Sequence, residues 1–413
     1  MRILILTQYF PPETGAPQTR LFELATRMLG HGHAVTILTA MPNYPTGRVY
    51  TDYRWRIFAK ESLEGLTILR TPIFPSKSKN LALRLVSYLS FVVTSFVIGV
   101  WNVGRQDLLV VESPPLFLTM SGVPMSRLLK APLILMVSDI WPDVAVRMGD
   151  IIGRRQQKLL EWLEAWAYRK SSCVALTNPG AMQQVRNRFP AVTCSVISNG
   201  VDVAMFSGGS RSSDFRRKLG ILDDQFAVGY CGLHGIFQGL DVVIRAAKSL
   251  KDNKRIRFVL IGDGPTKEVL VKQTQEAGLT NVLFLPRQPK SEMPTILANL
   301  DVGLIPLAAP LPGTMPSKVY ETLAAGLPMI ATAGCEAEEL VRRYGIGRLF
   351  EAGNDSQLAS VLQELSENGE LCRKMRQACV ELSPRFDRDR IAERTERIMS
   401  AVVDREPLPD VEW

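Results

Sequence analysis

Residues 300–332 constrain the fold more than any other stretch of the chain. Residues 300–307 form an apolar run of strand length around Pro306. Pro316 suits a first helical position, where its missing N–H is no loss. The residues from Lys318 to Ala325 are mostly good helix formers. Gly326 suits a left-handed helix end, Pro328 cannot continue the helix, and residues 329–332 read as the next short strand. The order is strand, Gly-containing loop, helix start, strand.

Such a helix start offers N–H groups and a partial positive charge to an anion. Lys318 stands in the first turn, where a cation works against the helix dipole, so a negative partner is expected to offset it. Glu321 falls one turn later, on the same face as Ser317 and Lys318. A diphosphate at the helix start, with a hydroxyl-bearing ring beside Glu321, would use all of these groups. An ordinary αβ unit with a capped helix explains the same residues, and spacing alone does not separate the two.

The opening of the chain supplies the sheet. Residues 2–7 read as a buried strand, residues 19–29 have helical spacing closed by Gly30, and residues 34–38 are a second strand. This βαβ pattern predicts a parallel sheet with ligands at the carboxyl ends of its strands. Gly15, in the first loop, falls where a ligand would approach the backbone. His33 reads as a packed surface histidine. Further strands are expected at 107–112, 132–137, 173–177, 226–230, 257–261 and 282–285, with helices at 115–129, 156–168, 181–188 and 241–250.

Strand 132–137 runs into Ser138-Asp139-Ile140-Trp141-Pro142-Asp143, two carboxylates and a Trp where an α/β site would lie. A capping Asp before a helix is the plain alternative. Strand 226–230 is followed by Gly232, Gly235 and Gly239 around His234, and glycines there permit close backbone approach to phosphate. His234 reads equally as a neutral donor to a diphosphate or as an ordinary loop residue. Asp387-Arg388-Asp389 has the form of a metal-binding D-x-D but stands at a helix start, where capping is expected.

At 413 residues and 46% hydrophobic, the chain can fill two cores. Its six cysteines, at 173, 194, 231, 335, 372 and 379, have no metal spacing and read as small buried residues of a reduced, cytosolic protein. The first residues are too short an apolar run for a signal peptide. Residues 1–197 carry 22 basic against 12 acidic side chains, and residues 198–413 carry 27 against 29. An anionic partner is therefore expected on the first half, although a generic solvated surface has the same composition.

The basic excess concentrates at 44–84, which includes Arg48, Arg54, Arg56, Lys60, Lys77, Lys79 and Arg84 beside several aromatics. Residues 85–101 then run without a charge. A spanning helix needs about 20 apolar residues, and this run contains Ser87, Ser90, Thr94 and Ser95. A core helix with one membrane-facing flank, anchored at the interface by its basic neighbours, fits better than a spanning segment.

Pro316-Ser317-Lys318, Glu321 and Ala324-Ala325-Gly326-Leu327-Pro328-Met329-Ile330-Ala331 resemble the nucleotide-sugar motif of family 4 retaining glycosyltransferases. The resemblance extends over nearly the whole chain, through Ser198-Asn199-Gly200-Val201-Asp202 with Phe206, the Gly262-Asp263-Gly264 turn and Pro286-Arg287-Gln288-Pro289. It is closer to the subgroup resembling bacterial N-acetylfucosaminyltransferases of O-antigen and capsule assembly. It implies an α/β chain of the GT-B fold, with two Rossmann-like domains facing each other across a cleft. These would be an acceptor-side domain at 1–197, a donor domain at 198–385, and a helix at 386–403 that returns to the first. It implies retention without a metal or other cofactor, from a nucleotide sugar, UDP-linked, to a lipid-linked glycan at the inner face of the cytoplasmic membrane.

On this resemblance Gly15, Gly232, His234, Arg287, Ser317, Lys318 and Glu321 bind the donor, with Glu321 on the nucleotide ribose. Lys318 also stabilises the leaving diphosphate, and Asp139 is the candidate at the transferred sugar or acceptor. Where the family often has a second Glu, this chain has Gly313, and Leu233 and Gln238 replace the family's loop cations. A nucleotide-sugar epimerase of the same fold and a non-catalytic binding subunit are the alternatives. No G-x-G-x-x-G opens a helix after the first strand, which argues against a dehydrogenase. Nothing in the composition points to nucleic acid.

Overall fold

A computed structural model describes residues 1–77, 80–143, 146 and 153–411, so Lys79 lies outside the described residues. The chain divides into two compact units, Met1–Ser198 with Ile391–Trp413 and Asn199–Arg390.

Unit 1 is built on eight strands: β1 (Arg2–Leu6), β2 (Ala34–Ala40), β3 (Ala59–Leu63), β4 (Leu66–Thr71), β5 (Leu108–Ser113), β6 (Leu133–Val137), β7 (Cys173–Leu176) and β8 (Cys194–Val196). Their order is β3-β4-β2-β1-β5-β6-β7-β8. Every pairing is parallel except β3 with β4. Side chains alternate across a strand, and both faces here are covered. Ile3 and Ile5 join a core with Leu21, Met28, Ile398 and Met399. Leu4 and Leu6 join the opposite core with Phe91, Leu116, Met125 and Leu163. Strands buried on both sides read as continuous apolar runs, which is why β1, β5 and β6 are legible in the sequence.

The hairpin β3–β4 is not legible. Residues 44–84 read as a basic, Pro-rich connection, yet Ala59–Leu63 pairs with Leu66–Thr71 and extends the sheet beyond β2. Two things hide it. The edge strand alternates exposed polar residues with half-buried ones. The inner strand carries Arg70, which is almost fully buried and donates to Glu61 at 3.0 Å, to Ala40 O and to Pro11 O. Tyr53 covers the same guanidinium, its ring centroid 5.3 Å away. A buried charge is tolerated where it is paired and its donors are used.

The uncharged run 85–101 forms a continuous helical rod from Leu81–Thr94 through a wide π turn at Ser95–Gly99 to Val100–Asn102. Over Ala82–Asn102 its mean hydropathy is 1.8 and only 28% of the apolar window is buried. It is less of a core helix than expected, because an open apolar stripe runs along it.

The helix Arg388–Asp404 returns to unit 1, where Ile391, Ala392, Ile398, Met399 and Val402 enter the core. Glu396 accepts from His31 Nδ1 at 2.7 Å and His33 Nε2 at 2.9 Å, and His33 Nδ1 lies 3.1 Å from the Met1 amine. His33 is therefore a clamp on this helix rather than merely a packed surface residue. Asp387 caps, as the D-x-D position suggested, accepting from Asp389 N and Val203 N.

Unit 2 has six parallel strands: β9 (Phe226–Cys231), β10 (Ile256–Ile261), β11 (Val282–Leu285), β12 (Val302–Ile305), β13 (Met329–Thr332) and β14 (Gly347–Phe350). Their order is β11-β10-β9-β12-β13-β14. Arg216 pins this unit from below. It is 2% exposed and donates to Asp301, Asn299 O, Leu222 O and Gln225 O. In both sheets the strand order reverses beside the first strand, between β1 and β5 and between β9 and β12. A parallel sheet opens a ligand crevice at the carboxyl ends of such a pair.

Candidate active site

The crevice of unit 2 brings Gly232 and Lys318 together. Gly232 directly follows β9 and holds a φ of 146°. A Cβ there would stand 2.4 Å from Lys318 Cε and 2.9 Å from its Nζ. Lys318 opens the helix Lys318–Ala324 after β12 and so reaches across the switch point to the β9 loop. The missing side chain of Gly232 is the space its stem occupies. Lys318 Nζ also lies 5.0 Å from the Tyr230 ring centroid, a cation–π contact. Tyr230 is fixed by donating from its hydroxyl to Leu233 O at 2.6 Å.

Glu321 stands one turn along the same helix, half-buried. Burial pushes its carboxyl above the ordinary range, against the pull of Lys318, Lys290 and Arg388. Burial also pushes the Lys318 ammonium below its ordinary value, countered by Glu321 and Cys231. Titratable groups perturbed by burial beside a charged neighbour in a crevice mark a functional-site candidate. The Cys231 thiol is pushed up to about 12, chiefly by burial, and is inert.

The helix start itself does less than its sequence promises. The helix begins at Lys318, so Pro316 precedes it instead of occupying its first turn. The N–H groups of Val319 and Tyr320 are already spent on the carbonyls of Pro316 and Ser317. Ser317 is exposed at the N-cap and its side chain makes no capping bond. In a seven-residue helix with two first-turn donors used, Lys318 is the positive charge at the helix start.

His234 lies beneath the loop, fully buried. Its backbone N–H donates to Asp263 O at 2.9 Å, and its ring packs against Tyr230 and Phe284. A Cβ on Gly262 would meet Gly232 O at 1.8 Å, and one on Gly264 would meet His234 O at 2.4 Å. The Gly262-Asp263-Gly264 turn is therefore glycine-rich because two loops press together. Among the described residues neither ring nitrogen of His234 has a hydrogen-bond partner. Burial, with Lys267 and Lys318 nearby, pushes the imidazole down to about 4, so it is neutral at physiological pH. Sequence reasoning missed Lys267, which donates to Gly262 O at 2.7 Å and Leu285 O at 3.2 Å and braces this turn.

The unfolded chain takes up a proton on His234 near the ordinary value of 6.5, while the folded chain resists to about 4. Folding stability is thus lost as pH falls through that window. A His234→Phe variant is expected to show a smaller difference in melting temperature between pH 7 and pH 5 than the wild type. An unchanged difference would mean that His234 titrates freely.

Arg287 is exposed in the loop after β11, two strands from the crevice, and among the described residues no hydrogen bond or ion pair joins it to Lys318 or Glu321. Gly15 lies in unit 1 before the helix Ala16–Gly30, with an extended φ of 173° that any residue adopts. The loop around it is shaped instead by Glu13, which sequence reasoning did not single out. Its buried carboxylate accepts from the N–H groups of Asn43 at 2.8 Å, Tyr44 at 2.7 Å and Phe10 at 3.2 Å.

Asp139 follows β6 at the carboxyl edge of the unit 1 sheet, beside the β1/β5 switch point. Its residue is exposed, but the flanking protein pushes its carboxyl above the ordinary range, against the pull of Arg20. Asp143, four residues on, is taken up by Arg188, which also pairs with the buried Glu164.

Two family descriptions fit these two units. Residues 15–200 match the glycosyl transferase 4-like domain, and residues 212–380 match glycosyl transferases group 1. The chain is therefore a glycosyltransferase of the GT-B fold, of the family 4 type. It is 26% identical over 349 residues to the putative colanic acid biosynthesis glycosyl transferase WcaI of Escherichia coli K12, covering 82% of this chain and 84% of that protein. Among solved structures it resembles sucrose-phosphate synthase from Thermosynechococcus elongatus, with a TM-score of 0.74, 15% identity, and coverage of 98% and 100% of the two chains. It also resembles Anabaena Alr3699/HepE in complex with UDP, with a TM-score of 0.73, 19% identity, and coverage of 97% and 100%. At these identities the structures speak for the fold alone.

Proposed function

We propose that this chain transfers a sugar, with retention and without a metal ion, from a UDP-sugar to a polyprenyl-diphosphate-linked glycan in surface polysaccharide assembly. The transferred group on this reading is an N-acetylated amino sugar such as N-acetylfucosamine, and the product an O-antigen or capsule precursor. The observation that carries the reading is Lys318, held against Gly232 across the β9/β12 crevice with Glu321 one turn behind it. Lys318 meets the diphosphate and Glu321 the ribose hydroxyls. Ser317, the backbone at Gly232 and Arg287 complete the donor set, with His234 as a neutral group beneath it. As the sugar leaves, negative charge grows on the diphosphate, and a fixed cation lowers the barrier most there. Asp139 acts on the acceptor side. A relative named for colanic acid biosynthesis supports the polysaccharide part of this reading, and a structural neighbour described in complex with UDP-glucose supports a nucleotide-sugar donor.

A melting-temperature panel with UDP, GDP and ADP sugars tests it. A ligand that binds only the folded state at 100 times its Kd adds about 2.7 kcal/mol. UDP-sugars are expected to raise the melting temperature and the others to leave it unchanged. No response to any nucleotide sugar would remove the function.

The same reading places the protein peripherally on the inner face of the cytoplasmic membrane, at an anionic surface. Leu83, Val86, Val93, Val97 and Trp101 stand open at helical spacing along the apolar rod. Trp55 is 98% exposed, and Arg54, Arg56, Lys60 and Lys77 are exposed as well. An apolar helix face with aromatic and basic neighbours is the composition of an interfacial anchor. Each basic residue near an anionic bilayer contributes about 1 kcal/mol, screened by salt, and the apolar face adds a part that salt does not remove. High salt is expected to release only part of the protein from anionic vesicles, and charge reversal at Arg54, Arg56 and Lys60 to release more. Absence from such vesicles at low salt would point to a soluble acceptor.

A further inference from the structure

Unit 1 carries a cavity of about 1370 Å³ at the amino ends of its strands, the sheet edge opposite the ligand crevice. Its walls include Asp107, Pro132, Ser172 and Thr193, which directly precede β5, β6, β7 and β8. The end of the returning helix Arg388–Asp404 and the chain just after it supply another wall. The transfer chemistry makes no use of this edge.

Arg105, Lys130 and Arg405 line the cavity, and among the described residues no hydrogen bond or ion pair takes up their side chains. Of the two acids there, Asp107 is held by Arg2, whose backbone N–H and guanidinium donate to it at 2.7 and 2.5 Å. Only Glu406 is left in the lining to face three cations. Helix capping is the plain account of two of them. Lys130 and Arg405 directly follow the helices Thr119–Leu129 and Arg388–Asp404, where a cation offsets the dipole. Three observations go beyond that account. The helix Thr119–Leu129 already has Arg127 in its last turn. Lys130 and Arg405 hold left-handed backbone, with φ of 53° and 60°, which glycine adopts most readily. Gln106, a buried residue of the lining, donates from Nε2 to Val103 O at 2.5 Å, and its Oε1 is buried with no partner among the described residues. A ligand hydroxyl would satisfy that oxygen.

We propose that this cavity is a second ligand site, for a phosphate group with neighbouring hydroxyls, of the glycerophosphate kind. The cations serve the phosphate, by charge-assisted hydrogen bonds, and Gln106 serves a hydroxyl. Such a group has two sources, a small soluble phosphate ester or the headgroup of an anionic lipid. Leu128 lines the cavity and is 63% exposed. Trp101, at the end of the apolar rod and four residues before Arg105, is 85% exposed. The lipid source rests on the reading of that rod as a membrane face, and the soluble source does not.

The melting temperature of the whole protein is measured with glycerol 3-phosphate and with glycerol at the same concentration. The phosphate is expected to raise it and glycerol to leave it unchanged. In Lys130→Gly with Arg405→Gly the free protein should melt near the wild-type temperature, because glycine adopts both left-handed positions freely. Its Kd for glycerol 3-phosphate should rise about 100-fold or more, the scale of losing two charged donors. Should that variant fold poorly, Arg105→Ala carries the test, with a rise of about tenfold. Sedimentation with phosphatidylglycerol and phosphatidylcholine vesicles separates the sources. Weaker binding of the double variant to phosphatidylglycerol, with free glycerol 3-phosphate competing in wild type, assigns the lipid headgroup. Equal binding of variant and wild type to those vesicles assigns the soluble ester. UDP should bind both proteins equally, since the donor crevice is in unit 2. The proposal is overturned if glycerol 3-phosphate leaves the wild type unchanged, or if it stabilises the folded double variant as much as wild type.

Discussion

A Lys318→Ala variant is expected to lose about 10²–10³-fold in turnover while remaining folded, the usual cost of removing one preorganised donor at a developing charge. Three features carry the expectation. The ammonium is confined, because its stem fills the place of a side chain at Gly232. It is half-buried and pushed below its ordinary value by burial, so it has an unmet demand for a negative partner. The short helix behind it has already spent two of its first-turn N–H groups. On this reading Lys318 therefore carries more of the diphosphate's charge than the helix start does. The loss should be concentrated in kcat, since charge on the diphosphate grows as the sugar departs. Uridine affinity should change little. Equal losses for uridine and for the nucleotide sugar would mark Lys318 as a structural residue.

The same residue shows what a sequence can and cannot reveal here. Lys318 and Glu321 are legible because strand, loop, helix and strand follow one another with punctuation at Pro316, Gly326 and Pro328, and helical spacing then puts both on one face. That Gly232 makes room for the lysine is not legible, since the two residues are 86 positions apart and meet only through the order β9–β12. The glycines at 262 and 264 read in the sequence only as a turn, and they serve a backbone crossing against Gly232 and His234. His234 reads equally as a donor to a diphosphate or as a loop residue, and it lies buried beneath the loop, because polarity in a sequence carries no information about depth.

In unit 1 the apolar strands announce themselves, whereas β3–β4 hides behind its polar edge and Arg70. Arg20 and Glu112, an ion pair within unit 1, and Glu13 share that difficulty. Each is an unremarked charge on a helix, strand or loop until the fold brings its partner to it. The spread of exposed residues from Leu83 to Trp101 is half visible, since an uncharged run can be read, but which of its faces stays open depends on what packs against it.

Binding of UDP to wild type and to Glu321→Ala, measured by titration calorimetry, tests the assignment of this crevice to the nucleotide most directly. Glu321 is half-buried, and burial raises its carboxyl, so the site bears a cost that a ribose diol would relieve by donating two hydrogen bonds. Removing a charged acceptor of this kind costs about 1.5–3 kcal/mol, or roughly a 10- to 150-fold rise in Kd. The account predicts that rise with the melting temperature of the free protein held or slightly increased, because an under-compensated carboxylate has been removed. Wild-type affinity for UDP in a folded Glu321→Ala variant would contradict it.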